Sequence, residues 1–534
     1  MSIDQSNRYG IVKAYHEQTK HHPHRYARSL GYLDWDNQPV PFRLFEGAPQ
    51  IQLPLDNIDR GLPYPALYQS IDDSLDSISI NSIAIMLELS MGLSAWKKYQ
   101  NSEWALRMNP SSGNLHPTEC YLLLPDFPHQ KACVTHYNPY LHVLEELALV
   151  HRNQAEWLNE YGGFGVILTS IPWREAWKYG ERAFRYCHHD LGHALGALRF
   201  ACNLNGWKMR LIPQISEEIL DRLLGFDNIK WVEGEPEYAE CLCWIDRKLN
   251  DPEEISAWFS SQRDFKYEHR PNRLSLEHVD WEIIDMVQKA SRTNRPAFPE
   301  ISTCSYPAPN KLTSSFTAEA IIRRRRSAQN YDRQTSRMSL STFFHALEKT
   351  LPVNRCPFDM FPYEAQVHLA IFVHAVVGLE SGLYMLVRNP RHFESLKNLT
   401  DSSFYWDRIK QGLPFYFLQK GDFRARAQSV SCAQAIAGDS AYALGMLAHF
   451  DPVLMEAPSM YPRLFWETGL VGQVLYLEAE AQGMRGTGIG CFFDDSIHEL
   501  LGIEDLQMQS LYNFTVGGPV EDSRLSDLPA YSHL

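Results

Sequence analysis

The sequence has no CxxC pair, no long apolar run and no GxGxxG fingerprint, and each absence removes a class of protein. Its ten cysteines are scattered, and the spacing of Cys241 and Cys243 fits one face of a strand better than a metal knuckle. Scattered thiols suit a reduced, cytoplasmic protein. No uninterrupted apolar stretch approaches the roughly 20 residues that span a bilayer. The N-terminus is polar and His-rich, with no apolar signal core, so no membrane partner is expected. Positive charge is also short: a net charge of −14 argues against nonspecific nucleic-acid binding. At 44% apolar and 21% charged the 534 residues read as globular, and that length is too great for one core.

The second half of the chain repeats the first. Glu217 to Gly225 (EEILDRLLG) matches Asp494 to Gly502 (DDSIHELLG), an offset of 502 − 225 = 277 residues. The same offset pairs Gly206 with Gly483, and Asp190-x-Gly192 with Glu467-x-Gly469. Upstream, Asn138-Pro139 resembles Asn389-Pro390 at an offset of 389 − 138 = 251, so insertions separate the copies. Each half mixes helices with a few strands, which favours an α+β class over a parallel βαβ array. The expected organisation is a wrapping segment over 1–75, a first domain over 76–250, a Pro- and Ser-rich linker over 251–312, and a second domain over 313–534. The linker includes Asn294 to Pro299 and leaves room for a short helix over Trp281 to Ala290. Apolar spacing predicts a helix from Ile80 to Trp96, a strand at Glu119 to Leu124, a strand–turn unit at Val134 to Leu144, a buried strand at Phe164 to Ser170, and a mostly continuous helical stretch from Trp177 to Trp207.

Three segments carry chemistry. Arg107-Met108-Asn109-Pro110-Ser111-Ser112-Gly113-Asn114 reads as a helix-to-strand connection whose hydroxyls, amide and backbone donors suit a flat, heteroatom-rich ring with a phosphate tail. Pro110 stiffens it, and Gly113 leaves room for a close approach. Arg323-Arg324-Arg325-Arg326 follows a helix-forming run, Thr317 to Ile322. Four adjacent arginines cannot share one helical face, so one is expected to point inward or towards an anion. Each arginine–phosphate hydrogen bond would contribute about 1.5–3 kcal/mol. Gly486-Thr487-Gly488-Ile489-Gly490-Cys491 lies between a helix and Asp494, and suits a backbone lying flat on a ring or a tight connection.

The pattern Arg325-Arg326-Ser327-x-Gln329, the Pro110-Ser111-Ser112-Gly113-Asn114 loop and the Gly488-Ile489-Gly490 segment resemble the nitroreductase family of flavoproteins. The wording Trp177 to Tyr186 (WKYGERAFRY) is similar to its SagB-type azoline-dehydrogenase branch. The resemblance implies an α+β fold of two nitroreductase-like domains fused as an intramolecular pseudo-dimer, with FMN as cofactor. It further implies that one copy supplies cations and glycines and the other the serine loop. Arg325, Arg326 and Arg524 would then hold the phosphate, and Ser327 the ribityl region. Arg107, Pro110, Ser111, Ser112 and Asn114 would border the ring and ribityl chain, and Gly488, Ile489 and Gly490 would lie against the ring. Gln329 stands where the family often has Arg or Lys. The second half has Cys356-Pro357-Phe358-Asp359 where its own loop would fall, so one FMN per chain is expected. Lys178 and Tyr179 match the branch's proton-removing pair, whose counterparts at the 277-residue offset are Met455 and Glu456.

The implied activity is two-electron hydride transfer through flavin, on a small-molecule or peptide-derived substrate or with NAD(P)H as electron donor. The alternatives are a flavin-binding or scaffolding protein without turnover, and a metallohydrolase using His189 and His193 at i, i+4. No third metal ligand is identifiable, so no metal is assigned.

Overall fold

The structure is a computed structural model. It describes residues 5–55, 59–69, 77–248, 250–262, 269–293 and 313–534. Two parts of the expected linker, 263–268 and 294–312, lie outside them, Asn294 to Pro299 included.

Ser79 and Ser82 cap each other: the Ser82 backbone N–H donates to Ser79 Oγ, and the Ser79 N–H to Ser82 Oγ. This reciprocal cap starts the helix Ile80–Ser90. The helix does not run on to Trp96. It stops at Ser90, just ahead of Gly92, where a Cβ would meet the Glu88 carbonyl oxygen at 2.8 Å. Leu93–Tyr99 then forms a hairpin with Ser102–Arg107. The serine loop is therefore entered from a strand, not from a helix. The helical spacing misled because Leu93 and Ala95 point inward with the period of a strand.

Two compact units emerge. The first-half unit comprises Arg28–Phe298, Arg355–Pro362 and Leu525–Leu534; the second-half unit comprises Met1–Ala27, Pro299–Asn354 and Tyr363–Arg524. Each carries a seven-stranded sheet in which every neighbouring pair is antiparallel. In the first-half unit the order across the sheet is Gln50–Gln52, Val143–Leu149, Cys133–Asn138, Thr118–Leu124, Gly163–Ser170, Tyr238–Asp246, Lys208–Leu211. In the second-half unit it is Asp407–Arg408, Phe415–Lys420, Gly382–Leu386, Val367–Val373, Tyr442–His449, Met508–Gly517, Arg485–Ile489. Six strands correspond in both chain order and position. The outermost differs: Gln50–Gln52 comes from upstream, whereas Asp407–Arg408 immediately precedes the strand it pairs with.

The central strands Thr118–Leu124 and Gly163–Ser170 are buried throughout. Tyr121, Leu123 and Ile167 on one face join an apolar cluster with Leu242 and Trp244. Cys120, Leu122, Val166 and Leu168 occupy the opposite face, where the long helix Ala183–Leu204 packs. That helix is buried along its whole length, as is its counterpart Met460–Ala481. The expected continuous helix from Trp177 is broken: Pro172–Tyr179 ends at Gly180 (φ 55°), whose Cβ would lie 2.2 Å from the Arg28 carbonyl oxygen. Backbone crowding thus forces a bend that spacing alone does not show.

The 277-residue offset links Ala183 to Met460, Lys208 to Arg485 and Glu217 to Asp494, the starts of equivalent elements. The paired glycines close their helices alike, with φ 75° and 70° at Gly206 and Gly483, and 63° and 75° at Gly225 and Gly502. Two helices lie in stretches expected to be irregular, Gln5–Gln18 and Pro252–Ser261, and Glu282–Ser291 fills the space left for a short helix. No helix among the described residues is long and apolar enough to cross a membrane.

Candidate functional site

In the first-half unit the serine loop ends a hairpin strand and makes one short turn, Ser112–Asn114, with Gly113 at φ 59° and Asn114 at φ 60°. The turn is pinned from the long helix. The Ser112 backbone N–H and hydroxyl both donate to Asp190, at 2.9 and 2.8 Å. Ser111 Oγ accepts the His116 N–H, and Asn114 donates to the Ala105 carbonyl. Loop polar groups expected to face a ligand are therefore engaged first in holding the loop. Arg107 is buried beneath it, against the Phe42 ring and the Pro41 carbonyl, and burial pulls its guanidinium down to about 10.

Lys178 and Tyr179 meet this loop. A Cβ on Gly113 would lie 2.7 Å from the Tyr179 hydroxyl and 3.1 Å from Lys178 Nζ. Tyr179 stacks on Tyr186 at 4.2 Å. A bare glycine backbone, an amine and a phenol thus come together, though 65 residues of sequence separate Gly113 from Lys178 (178 − 113 = 65). One turn earlier on the same helix, Glu175 is fully buried, and neither carboxyl oxygen has a hydrogen-bond partner. Burial, reinforced by Asp190 and opposed by Lys178 and Arg174, holds Glu175 protonated well above the usual carboxylate range. Burial also pushes Asp190 up to about 7, against the hydrogen bonds of Ser111 and Ser112. Sequence spacing marked neither acid as part of the site. Farther along this helix, Trp173 and Ala176 line a cavity of about 700 Å³ that also includes Val232, Arg273, His278 and Trp281.

In the second-half unit Tyr476 gathers the residues that the sequence had set apart. Arg325 ends the helix Ala318–Arg324 and is buried, its guanidinium 5.2 Å from the centre of the Tyr476 ring. Ser327 Oγ lies 2.8 Å from the Tyr476 hydroxyl, and the Gly488 N–H donates to that hydroxyl at 2.9 Å. Ser327 and Ala328 run beside Gly486 as a short bridge, with the Ala328 N–H donating to the Gly486 carbonyl. The glycine segment is itself the edge strand Arg485–Ile489 rather than a connection. Gly488 admits no side chain, because a Cβ would sit 1.9 Å from the Tyr512 hydroxyl. Ile489 points into the core. Arg326 donates to the Arg323 and Arg325 carbonyls, and Gln329 is exposed. Arg524 is exposed and holds Asp522.

Burial draws the Arg325 guanidinium down to about 10; Tyr476 and Glu480 oppose this, and Arg326 and Arg485 add to it. A buried cation crowded by cations is what an anion would relieve, so the donor set here fits a phosphate. Tyr476, which joins the three parts, carries no signal in the sequence beyond its place in a helix. The histidines proposed for zinc, His189 and His193, are buried in the long helix. Among the described residues no cluster of three or more His, Cys, Asp or Glu side chains is arranged to hold a metal.

No family profile matches the sequence, and no curated protein matches it. Solved structures do. A protein from Anabaena variabilis provisionally named a nitroreductase superposes with a TM-score of 0.68 at 20% identity, over 96% of this chain and 99% of that one. A protein from Ralstonia eutropha, also provisionally named a nitroreductase, matches 43% of this chain and 97% of its own at 16% identity, with a TM-score of 0.29. A chain of the Escherichia coli microcin synthetase McbBCD complex, solved with truncated pro-MccB17, matches 47% of this chain and 95% of its own at 18% identity, with a TM-score of 0.26. The full-length likeness shows the fold: a mixed α+β nitroreductase fold extending across both halves.

Proposed function

We propose that this chain is an FMN-dependent oxidoreductase carrying one flavin. The observation that carries the reading is the meeting of Arg325, Ser327 and Gly488 around Tyr476. It puts a buried cation, a hydroxyl and a bare strand edge within one side chain's reach. Arg325 and Arg326, with Arg524, would hold the phosphate, Ser327 the chain next to it, and the backbone of Gly488 to Gly490 would lie against the ring. When bound, the flavin supplies two-electron hydride chemistry that no side chain here can perform.

Lys178 is the base in this reading. Its amine, over Gly113 and beside the Tyr179 phenol, would take a proton from the substrate atom adjacent to the carbon that gives up hydride, so that a double bond forms between the two. Glu175, dry and protonated beneath it, keeps a negative charge away from that amine and so does not fix it as an ion pair. The SagB-type branch and a peptide-derived heterocycle as substrate follow from the same pair. The soluble acceptor or donor would be a second small molecule, NAD(P)H included.

The test is the visible spectrum and flavin content of the purified chain. One FMN per chain, and its loss in Arg325→Met with the fold retained, supports the reading. Colourless protein after FMN is supplied, or two FMN per chain, overturns it.

A further inference from the structure

The described residues include nine cysteines, of which seven are buried. The two that are partly exposed, Cys432 and Cys491, lie in the second-half unit with their sulfurs 2.9 Å apart. Cys241 and Cys243 are also neighbours, but both are buried in the strand Tyr238–Asp246, out of reach of a reagent.

The protein holds the exposed pair together with bonds on both sides. The Phe493 N–H donates to the Val430 carbonyl at 2.9 Å, and Gln434 Nε2 donates to the Cys491 carbonyl at 3.0 Å. Between these ties the backbone takes a shape that side chains resist. Cys432 (φ 52°) and Ala433 (φ 60°) are consecutive non-glycine residues in the left-handed region. Such strain persists only where surrounding contacts impose it, and it clusters at functional sites. Tyr26 borders both thiols, and burial together with Cys432 and Cys491 raises its phenol above the ordinary value. Both thiols can be reached, and they are close enough to join with a small rotation of their side chains.

We propose that Cys432 and Cys491 form a redox-active dithiol whose oxidant is a low-molecular-weight disulfide, glutathione disulfide for example. One thiolate attacks the small disulfide, forms a mixed disulfide and expels one small thiol. The second thiolate attacks the protein sulfur of that mixed disulfide, closes the Cys432–Cys491 bond and expels the second small thiol. Two electrons and two protons leave the pair, and one small disulfide becomes two thiols. The closed bond ties the turn after the helix Arg424–Val430 to the segment that follows the strand Arg485–Ile489. The step needs no flavin, and it stands or falls separately from the proposed function.

The experiment equilibrates the full chain, as purified, in glutathione redox buffers, then traps thiols with iodoacetamide and maps peptides by mass spectrometry without reduction. The expected product is a cross-linked Cys432–Cys491 peptide pair lighter by two hydrogens, restored to thiols by dithiothreitol. Cys432→Ser should leave a glutathione adduct on Cys491, and Cys491→Ser one on Cys432. If either variant fails to fold, the wild-type peptide map decides alone. Stable glutathione adducts on both residues of the wild type, or no reaction at either while the seven buried thiols also stay intact, would overturn the proposal.

Discussion

The long helices of the two halves place an acid at the same register, and the two acids are treated differently. Asp190 is the eighth residue of Ala183–Leu204, and Glu467 the eighth of Met460–Ala481. Each grips the backbone just ahead of the central strand: Asp190 takes the Ser112 N–H, and Glu467 takes the Gln366 N–H at 2.9 Å. Glu467 is also paired with Arg388, itself fully buried and donating to the Thr350 and Val367 carbonyls. Asp190 has Ser111 and Ser112 as its hydrogen-bond partners, with the uncharged Glu175 nearby. The second half therefore uses its acid as a fixed ionic brace. The first half keeps its acid titratable, beneath the loop that meets Lys178. One duplicated position serves stability in one copy and leaves a responsive group in the other.

The largest expected effect comes from breaking the brace. Glu467→Gln keeps the shape but leaves Arg388 charged and buried without its counter-ion, which should cost about 3–5 kcal/mol of stability. Urea denaturation reads it directly. Asp190→Asn strands no cation, so it should not destabilise. Equal losses from the two substitutions would dissolve the distinction between the copies.

A smaller contrast lies in the two glycines. Gly488→Ala drives a methyl group to 1.9 Å from the Tyr512 hydroxyl and 2.6 Å from its ring carbon, in a paired strand. The ring must move, at about 2–3 kcal/mol, the upper part of the range for overpacking. Adding Tyr512→Phe should recover part of that. Gly113→Ala meets only the ends of Tyr179 and Lys178, which can swing away, and the left-handed backbone sets the cost at about 1 kcal/mol. Thermal unfolding of the single variants ranks them, and Gly113→Ala as the more damaging would reverse the assignment of rigid and yielding sites.

Much of this was legible in the chain itself, and the remainder was hidden for identifiable reasons. The 277-residue offset located equivalent helix starts because a duplicated core helix keeps its register: changing it would turn every side chain. Gly225 and Gly502 were readable as helix ends because few other residues accept their backbone angles. The end of the helix Ile80–Ser90 was not readable, since Leu93 and Trp96 fit helical spacing while Leu93 and Ala95 fit a strand's. The roles of Asp190, Glu175 and Tyr476 were hidden too. Asp190 and Tyr476 act on segments 78 and 149 residues away (190 − 112 = 78; 476 − 327 = 149), and local pattern carries no information about such meetings. The exchange of Arg355–Pro362 into the first-half unit, held by the Arg199–Asp359 ion pair at 2.7 Å, belongs to the same class.

The comparison is sharpest as a dependence on pH. Asp190 ionises in the unfolded chain near 3.8 and in the folded chain near 7. Below the lower value it is protonated in both states and costs nothing. As pH rises, the unfolded chain releases the proton first, so the folded state loses stability steadily until Asp190 ionises there too, and the loss is complete above about 7. The shift corresponds to about 4 kcal/mol at most. An amide accepts fewer hydrogen bonds than the carboxylate and recovers only part of this, so Asp190→Asn should stabilise by about 2 kcal/mol at pH 8 and by almost nothing at pH 4. Glu175→Gln should show the same sign of slope but no plateau by pH 8, because the unfolded chain releases that proton near 4.5 while the folded chain keeps it well above that value. Glu467→Gln removes the buried ion pair with Arg388 and should be destabilising. Stability curves measured at pH 4, 6 and 8 for the three variants separate these cases, and a gain from Asp190→Asn that is already full at pH 4 would mean that Asp190 does not titrate between pH 4 and 8.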